Sequence, residues 1–546
     1  MMFRGLTIKS VSPKRASRFP SSPMRFPALM AAAAAAVGIS AAGCSSPQTS
    51  RSPSGGTASS SIAVGLREAP DSLDPTMSST FVSRIVFANM CEKLYDTNAG
   101  LGLVPQLAAS LPQTSGDGMT YTINLRPGIR FNDGTPLDAS AVKTTLDWYR
   151  TDPVSVRAPE LKQVNSVQVT GPLTVQLHLS KPFAPLTSIL ADRSGMILSP
   201  QQLHRLGTNF SRDPVCVGPF AFASRPSLDQ INLVKSRYYY DKAAVHLSKA
   251  TFQVISDDSA RSADLQSGDI QVEDRIAPPD VATVQRNPAT RVVAVTSLGY
   301  QGLDINVGNV HGALNTPGTA ANPFAQHPQL RQAFELTINR DELNKAAFDG
   351  QYTPGCTPIP PGSPWAVPGN CPAQNIPEAR RLVAASGVKT PIPVSLMVQN
   401  NPQEIQVGTV LQTMAKAAGF NVSLQPTEFA TALTKAKAGN FEMFRIGWSG
   451  RIDPDQNIYS EWYPHSALNY TGANYPALDS LLTQARTATN TSVRHALYAK
   501  IVQTLQSERN VIYLWYDKYD LGLRKNVSGV AFYQDGMIRL KDARVG

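Results

Sequence analysis

Histidine is scarce in this chain, with only His178, His204, His246, His311, His327, His465 and His495 in 546 residues. No two fall at the helical spacing of a metal-ligand pair, and there is no metalloprotease motif. A glycine-rich phosphate loop is also missing, so the usual cradle for nucleotide hydrolysis is absent. No basic stripe interleaved with aromatics occurs, which argues against nucleic acid as a partner. Charged residues make up only 16% of the chain against 42% hydrophobic, the balance of an ordered globular protein. No internal repeat is present, and the length calls for two or three domains.

Acidic residues are lacking from positions 1–43, which carry Arg4, Lys9, Lys14, Arg15, Arg18 and Arg25. Removing those six charges from the formal +10 leaves +4 for the remainder, too mild to imply a polyanionic partner. The apolar run in "ALMAAAAAAVGISAAGC", Ala28 to Cys44, is too short to cross a bilayer. Basic residues before it and small residues after it mark an export signal, with Met1 or Met24 as the start. Its end, Ala41-Ala42-Gly43-Cys44, resembles a bacterial lipobox, in which the cysteine becomes the lipidated N-terminus. Residues 44–60 then read as a Ser/Gly/Pro tether with little to bury. An exported, lipid-anchored protein on the outer face of the cytoplasmic membrane is expected.

Cysteine is rare as well. Beyond Cys44 there are Cys91, Cys216, Cys356 and Cys371, an even number suited to an oxidising compartment. Cys356 and Cys371 bracket a proline-rich loop, and a bridge there would restrict the unfolded chain by roughly 3 kcal/mol. That pairing leaves Cys91 with Cys216; one bridge plus two buried thiols is the alternative.

What is present is a mixture of strand and helix patterns. Residues 61–66 read as a strand, and Tyr121, Ile123 and Leu125 alternate on one face of another. "SVQVTGPLTVQLHL" is a hairpin signal, and Val142, Leu146 and Tyr149 give 139–150 helical spacing. A long helix is expected over 328–348, and "IQVGTVLQTMAKAAGFNVSLQPTEF" reads as helix, Gly419 stop and strand. An amphipathic helix in "VRHALYAKIVQTLQSER" runs into an aromatic strand, "NVIYLWYDKYDLGL". The acidic stretch 256–274 lacks calcium-loop spacing and reads instead as a helix over 258–266, capped by Asp257 and Asp258 and ended by Gly268. "GWSGR", Gly447 to Arg451, approaches a hydrolase nucleophile elbow but puts Arg451 where its last glycine belongs. Ser449 is therefore not expected to be a nucleophile.

The stretches "REAPDSLDPTMSS", "GDGMTYTINLRPGIRFNDGTPLDASAVK", "PVCVGPF", "SARSADLQSGDI", "PQLRQAFELTINRDEL" and "GWSGRIDPD" together resemble the family 5 extracytoplasmic solute-binding proteins. These are the receptors of peptide and nickel ABC importers, and the resemblance covers roughly residues 60 to 540. It implies a two-lobed α/β periplasmic-binding-protein-like fold (type II, cluster C) with an extra domain and a hinge. Lobe I would combine 61–100, 215–300 and 510–546, the extra domain 101–214, and lobe II 301–509. Hinge crossings are expected near 302–307 and 510–516.

The resemblance further implies a monomer that is no enzyme and needs no cofactor or metal. It would deliver peptides or peptide-like solutes to a permease and its ATPase. Nickel chelates, opines or oligosaccharides are alternative ligands, and an envelope peptide sensor or chaperone is the alternative role. Peptide binders of the family typically carry an aspartate three residues after the loop tryptophan, to hold the peptide amine. Here Arg451 stands at that position, which points to an acidic ligand group beside a Trp448 wall, or else to an ion pair with Asp453, Asp455 or an acid of another lobe. Ser79, Thr80, Phe81, Tyr300, Asn306, Trp515 and Tyr516 are further candidate ligand contacts from their positions in the family pattern. Replacing Cys44 by serine is expected to abolish incorporation of a labelled fatty acid and to release the protein from the membrane fraction.

Overall fold

The structure is a computed structural model that describes residues 61–367 and 371–546. The export signal, Cys44 and the tether lie outside the described residues.

Alternating burial organises three main sheets. A seven-stranded mixed sheet runs Thr290–Thr296, Lys518–Arg524, Val272–Glu273, Ser61–Leu66, Lys249–Val254, Gln230–Lys235 and Phe220–Ser227. A six-stranded sheet runs Thr353–Pro354, Val511–Tyr516, Tyr300–Ile305, Met443–Trp448, Ile392–Gln399 and Phe420–Thr427. A four-stranded antiparallel sheet is built from Gln113–Thr114, Thr120–Asn124, Thr174–Leu179 and Val164–Gly171. Helix Ala139–Thr151 covers this last sheet with Val142, Leu146 and Tyr149 fully buried. Its N-cap Asp138 accepts a hydrogen bond from the Ala141 N–H.

The cores follow the same division. One continuous apolar cluster joins the four-stranded sheet (Ile123, Val167) to the seven-stranded sheet (Val64, Phe252). The six-stranded sheet has separate clusters, among them one around Leu303, Leu396 and Phe420 and one around Trp462, Tyr498 and Tyr513. Two lobes therefore each fold around their own buried side chains, and few chain segments pass between them.

Those passages are short. Tyr300–Ile305 and Val511–Tyr516 pair antiparallel inside the six-stranded sheet, so neither is itself the crossing. The chain changes sheets at Ser297–Gly299 and again at Asp517, where the Ser297 N–H donates to the Asp517 carbonyl at 2.8 Å. The strand over 511–516, grouped with lobe I in the sequence reading, therefore belongs with lobe II. "NVIYLWYDKYDLGL" is two strands in two sheets, broken at Asp517.

The helix expected over 328–348 is also two, Pro328–Glu335 and Arg340–Phe348. Asn339 ends the first run by capping the second, accepting from the Glu342 N–H. The other patterns appear as read: Asp257 caps helix Asp258–Ser267, and Gly268 closes it at φ +100°.

Cys91 is bonded to Cys216 across 125 residues, and Cys356 to Cys371 across 15. The first ties the end of helix Phe81–Met90 to the segment entering Phe220–Ser227. Because it closes the longer loop, Cys91→Ala with Cys216→Ala is expected to cost about 2–5 kcal/mol of stability. Urea denaturation followed by circular dichroism would measure this.

Candidate ligand cleft

The residues that follow the parallel strands of both large sheets face one another across a cleft of about 910 Å³. Crevices beyond the carboxyl ends of strands are where open α/β sheets bind ligands. Lobe I contributes Arg67 after its first strand, the helix start at Asp257 and Asp258, and Arg275 to Asp280. Lobe II contributes Phe348, Tyr352, the helix start from Asn401 to Glu404, and Arg445 to Ser449. Trp515 and Asp517 complete the wall at the crossing.

One polar network fixes that wall. Asp517 accepts from the Trp515 indole N–H at 2.9 Å and from the Gln301 amide at 2.7 Å. Gln301 in turn accepts from Arg445 at 2.8 Å. Arg445 pairs with Glu404 at 2.7 Å and lies 4.5 Å over the Trp515 ring. Burial pushes the Glu404 carboxyl up, Arg445 pulls it down and Asp517 pushes it up again, for a net rise. A cation, an amide, two acids and an indole thus hold each other in place.

The loop Gly447–Arg451 is placed by two close backbone approaches. A Cβ on Gly299 would collide with the Trp448 carbonyl, and one on Gly450 with the Leu298 carbonyl carbon. Gly450 also has φ +76°, a conformation costly for other residues. The loop is therefore clamped to the first crossing. Its residues Gly447, Trp448 and Ser449 line the large cleft. Gly450 and Arg451 line a second, small cavity of about 30 Å³.

Arg451 is paired there with Asp192 at 2.9 Å, on the lobe I side. Asp192 also binds Arg84 at 3.1 Å. The Arg451 guanidinium is 5.2 Å from the Trp448 ring, and the Trp448 indole donates to Asn457 at 3.0 Å. Asp453 and Asp455 do not meet Arg451; they pair with Arg494 and Arg486.

The remaining sequence candidates divide clearly. Trp448 and Trp515 are in the cleft wall. Phe81 supports it from behind, 4.3 Å from Arg275 and 5.6 Å from Tyr519, which both line the cleft. Ser79 and Thr80 donate to Asp71 at 2.7 and 2.8 Å and hold the turn before their helix. Tyr300 is buried, donates to Glu461 and packs edge-on to Tyr513. Asn306 donates to the carbonyls of Asn309 and Gly439, and Tyr516 bonds Thr357; both are internal. Sequence reasoning missed Arg445, Glu404, Gln301, Arg275 and Asp517. A charge inside the apolar strand "MFRIGW" was the one available signal for Arg445.

Among the described residues, no cluster of His, Cys, Asp and Glu could hold a metal ion. Two lobes with walls converging on a deep cleft, lined by aromatics and charges of both signs, make a solute-binding protein. The chain belongs to the bacterial extracellular solute-binding proteins, family 5, whose profile matches residues 102–470. It is thus an extracytoplasmic, non-enzymatic substrate-binding protein of the kind that serves ABC importers.

It is 26% identical over 486 residues to the glutathione-binding protein GsiB of Pectobacterium atrosepticum, covering 86% of this chain and 91% of that protein. Its fold matches the ABC transporter substrate-binding protein CtaP of Listeria monocytogenes with a TM-score of 0.78 at 22% identity, over 89% of this chain and 99% of that one. The oligopeptide-binding protein AppA of Bacillus subtilis, solved with a nonapeptide, matches with a TM-score of 0.75 at 20% identity, over 90% and 99% of the two chains.

Arg445→Ala would leave the half-buried Glu404 without its cation, at an expected cost of about 1–3 kcal/mol. Adding Glu404→Gln should recover a large part of that loss, and a double-mutant cycle in urea would measure it.

Proposed function

We propose that this protein is the receptor of an ABC importer for short peptides or peptide-like solutes. In this reading the solute is enclosed between the lobes and handed to a membrane permease, whose ATPase drives uptake. The observation that carries the reading is the composition of the 910 Å³ cleft. Its size falls within the range of small-ligand sites, about 300–1,000 Å³. Arg67, Arg275 and Lys518 line its lobe I wall together with Asp257, Asp258 and Asp280, opposite Glu404 and Arg445, so a zwitterion finds both signs of charge. Trp448, Trp515, Tyr352 and Phe429 offer apolar faces between them. A peptide has just these parts: two charged ends, a polar backbone and variable side chains.

The relatives support the same class. GsiB is named for binding a tripeptide, glutathione, and AppA was solved with a nonapeptide. Closure would be a rotation about Ser297–Gly299 and Asp517, with 61–100 and 215–296 moving with the extra domain 101–214 against 300–516. Closing over the ligand removes water from both of its faces, which strengthens each polar contact inside. A lipid on Cys44 and the tether over 44–60 would keep the receptor within reach of its permease.

Native mass spectrometry of protein purified without refolding tests the reading. A retained mass that fragments as a peptide is expected. Trp448→Ala should weaken its binding about tenfold by calorimetry, equivalent to about 1.4 kcal/mol. Recovery of an opine, a metal chelate or an oligosaccharide would replace the peptide assignment.

A further inference from the structure

The small cavity beside the large cleft has an imbalance of charge that the fold does not resolve. One carboxylate, Asp192, serves two guanidiniums, the Arg84 Nε at 3.1 Å and the Arg451 Nε at 2.9 Å, while the Arg451 Nη1 donates to the Ser449 Oγ at 3.2 Å and to the Gly450 carbonyl at 2.7 Å. Behind it, Arg157 and Arg193 both donate to the Ser78 carbonyl, at 3.2 and 2.9 Å. Arg157 also pairs with Glu160 at 2.6 Å. Four arginines therefore share two acids. The other charged neighbours in the cavity wall cancel, since Lys93 is balanced by Asp96 and Asp535 by Arg539.

This cluster is deeply placed. Arg84, Arg157 and Arg193 are 8%, 4% and 3% exposed. Burial and the neighbouring guanidiniums push Arg193 down to about 9 and Arg451 down to about 10, against the pull of Asp192. Both remain cations at neutral pH. In the cavity wall Arg84 and Arg451 face Asp192, one positive charge in excess, and such a charge held away from water is costly unless an anion joins it. The Arg84 Nη1 is buried and has no hydrogen-bond partner, and Arg84 lines the cavity.

We propose that this cavity is a carboxylate subsite, in which an acidic group of the ligand binds between Arg84 and Arg451. The proposal rests on the receptor reading and specifies the ligand class: a solute with a free carboxylate at one end. At about 30 Å³ the cavity holds two or three waters, at about 10–15 Å³ each, or the two oxygens of a carboxylate. Guanidinium forks suit that planar group. The Asp192 carboxylate already takes one side of each guanidinium. Trp448, which lines the cleft, has its ring 5.2 Å from the Arg451 guanidinium that lines the cavity. A ligand body against Trp448 would place its acidic end here.

Calorimetry with trialanine as the free acid and as its C-terminal amide tests this in wild type, Arg451→Gln and Arg84→Gln. Either single variant leaves Asp192 one arginine partner, so the fold is retained, as circular dichroism would verify. The wild type is expected to prefer the acid at least tenfold, and each variant should bring that ratio below threefold. A wild-type ratio near one, or an unchanged ratio in the variants, overturns the subsite while leaving the peptide receptor intact. Binding of neither form counts against the peptide reading, and malonate then decides the subsite alone. Millimolar malonate should raise the melting temperature of the wild type and not of Arg451→Gln; equal responses overturn the proposal.

Discussion

The backbone contact between the first lobe crossing and the Gly447–Arg451 loop controls the rest of the site. Gly299 lies against the carbonyl of Trp448, and Gly450 against the carbonyl carbon of Leu298, so neither position has room for a Cβ. The two segments are consequently one mechanical unit. Any rotation at Ser297–Gly299 carries Trp448 and Arg451 with it. The placement of ligand-facing side chains is thereby tied to the relative position of the lobes. No long lever or separate lid is needed.

Asp517 performs the equivalent task at the second crossing. It is the single residue between Val511–Tyr516 of one sheet and Lys518–Arg524 of the other. Its carboxylate takes the Trp515 and Gln301 donors from lobe II, and its carbonyl accepts from Ser297 of the first crossing. Through Gln301 the restraint reaches Arg445 and then Glu404 at the start of a lobe II helix. A buried polar chain of this kind tolerates few alternatives, because each member left unpaired costs more than its bond contributes. The cleft wall on this side is therefore rigid, and adaptation to different solutes falls to the open middle of the cleft.

Much of this was legible in the chain. The period of Tyr121, Ile123 and Leu125 and the hairpin after them reflect local burial, which sequence pattern reports directly. The GWSGR loop could be located because its glycines are required by backbone approach. Long-range polar partners left no such trace. Arg451 had several acids within a few residues, yet it meets Asp192, more than 250 positions earlier, because loop direction and lobe packing decide the pairing. Tyr300, Asn306 and Tyr516 were sensible candidates by position near the crossings, but strand alternation turned them to the interior. The break at Asp517 was hidden for a related reason: both flanking segments are apolar, and hydropathy does not say that they enter different sheets.

The two compartments beside the loop differ in kind, and that difference bears on recognition. The large cleft is lined by both acids and bases, so in the proposed reading it would suit a dipolar solute without fixing which side chains that solute carries. The small cavity has an excess of guanidinium and space for little more than one planar group. Affinity from a roomy, balanced cleft is broad, while a buried unbalanced cavity discriminates strongly, since a neutral group entering it leaves the arginines as they were. An aspartate at position 451 would reverse the preference by neutralising Arg84 and offering an acceptor to an amine. In the proposed carboxylate subsite, the arginine at the end of GWSGR would set the polarity of the bound solute, and the glycine before it would set where that polarity is read.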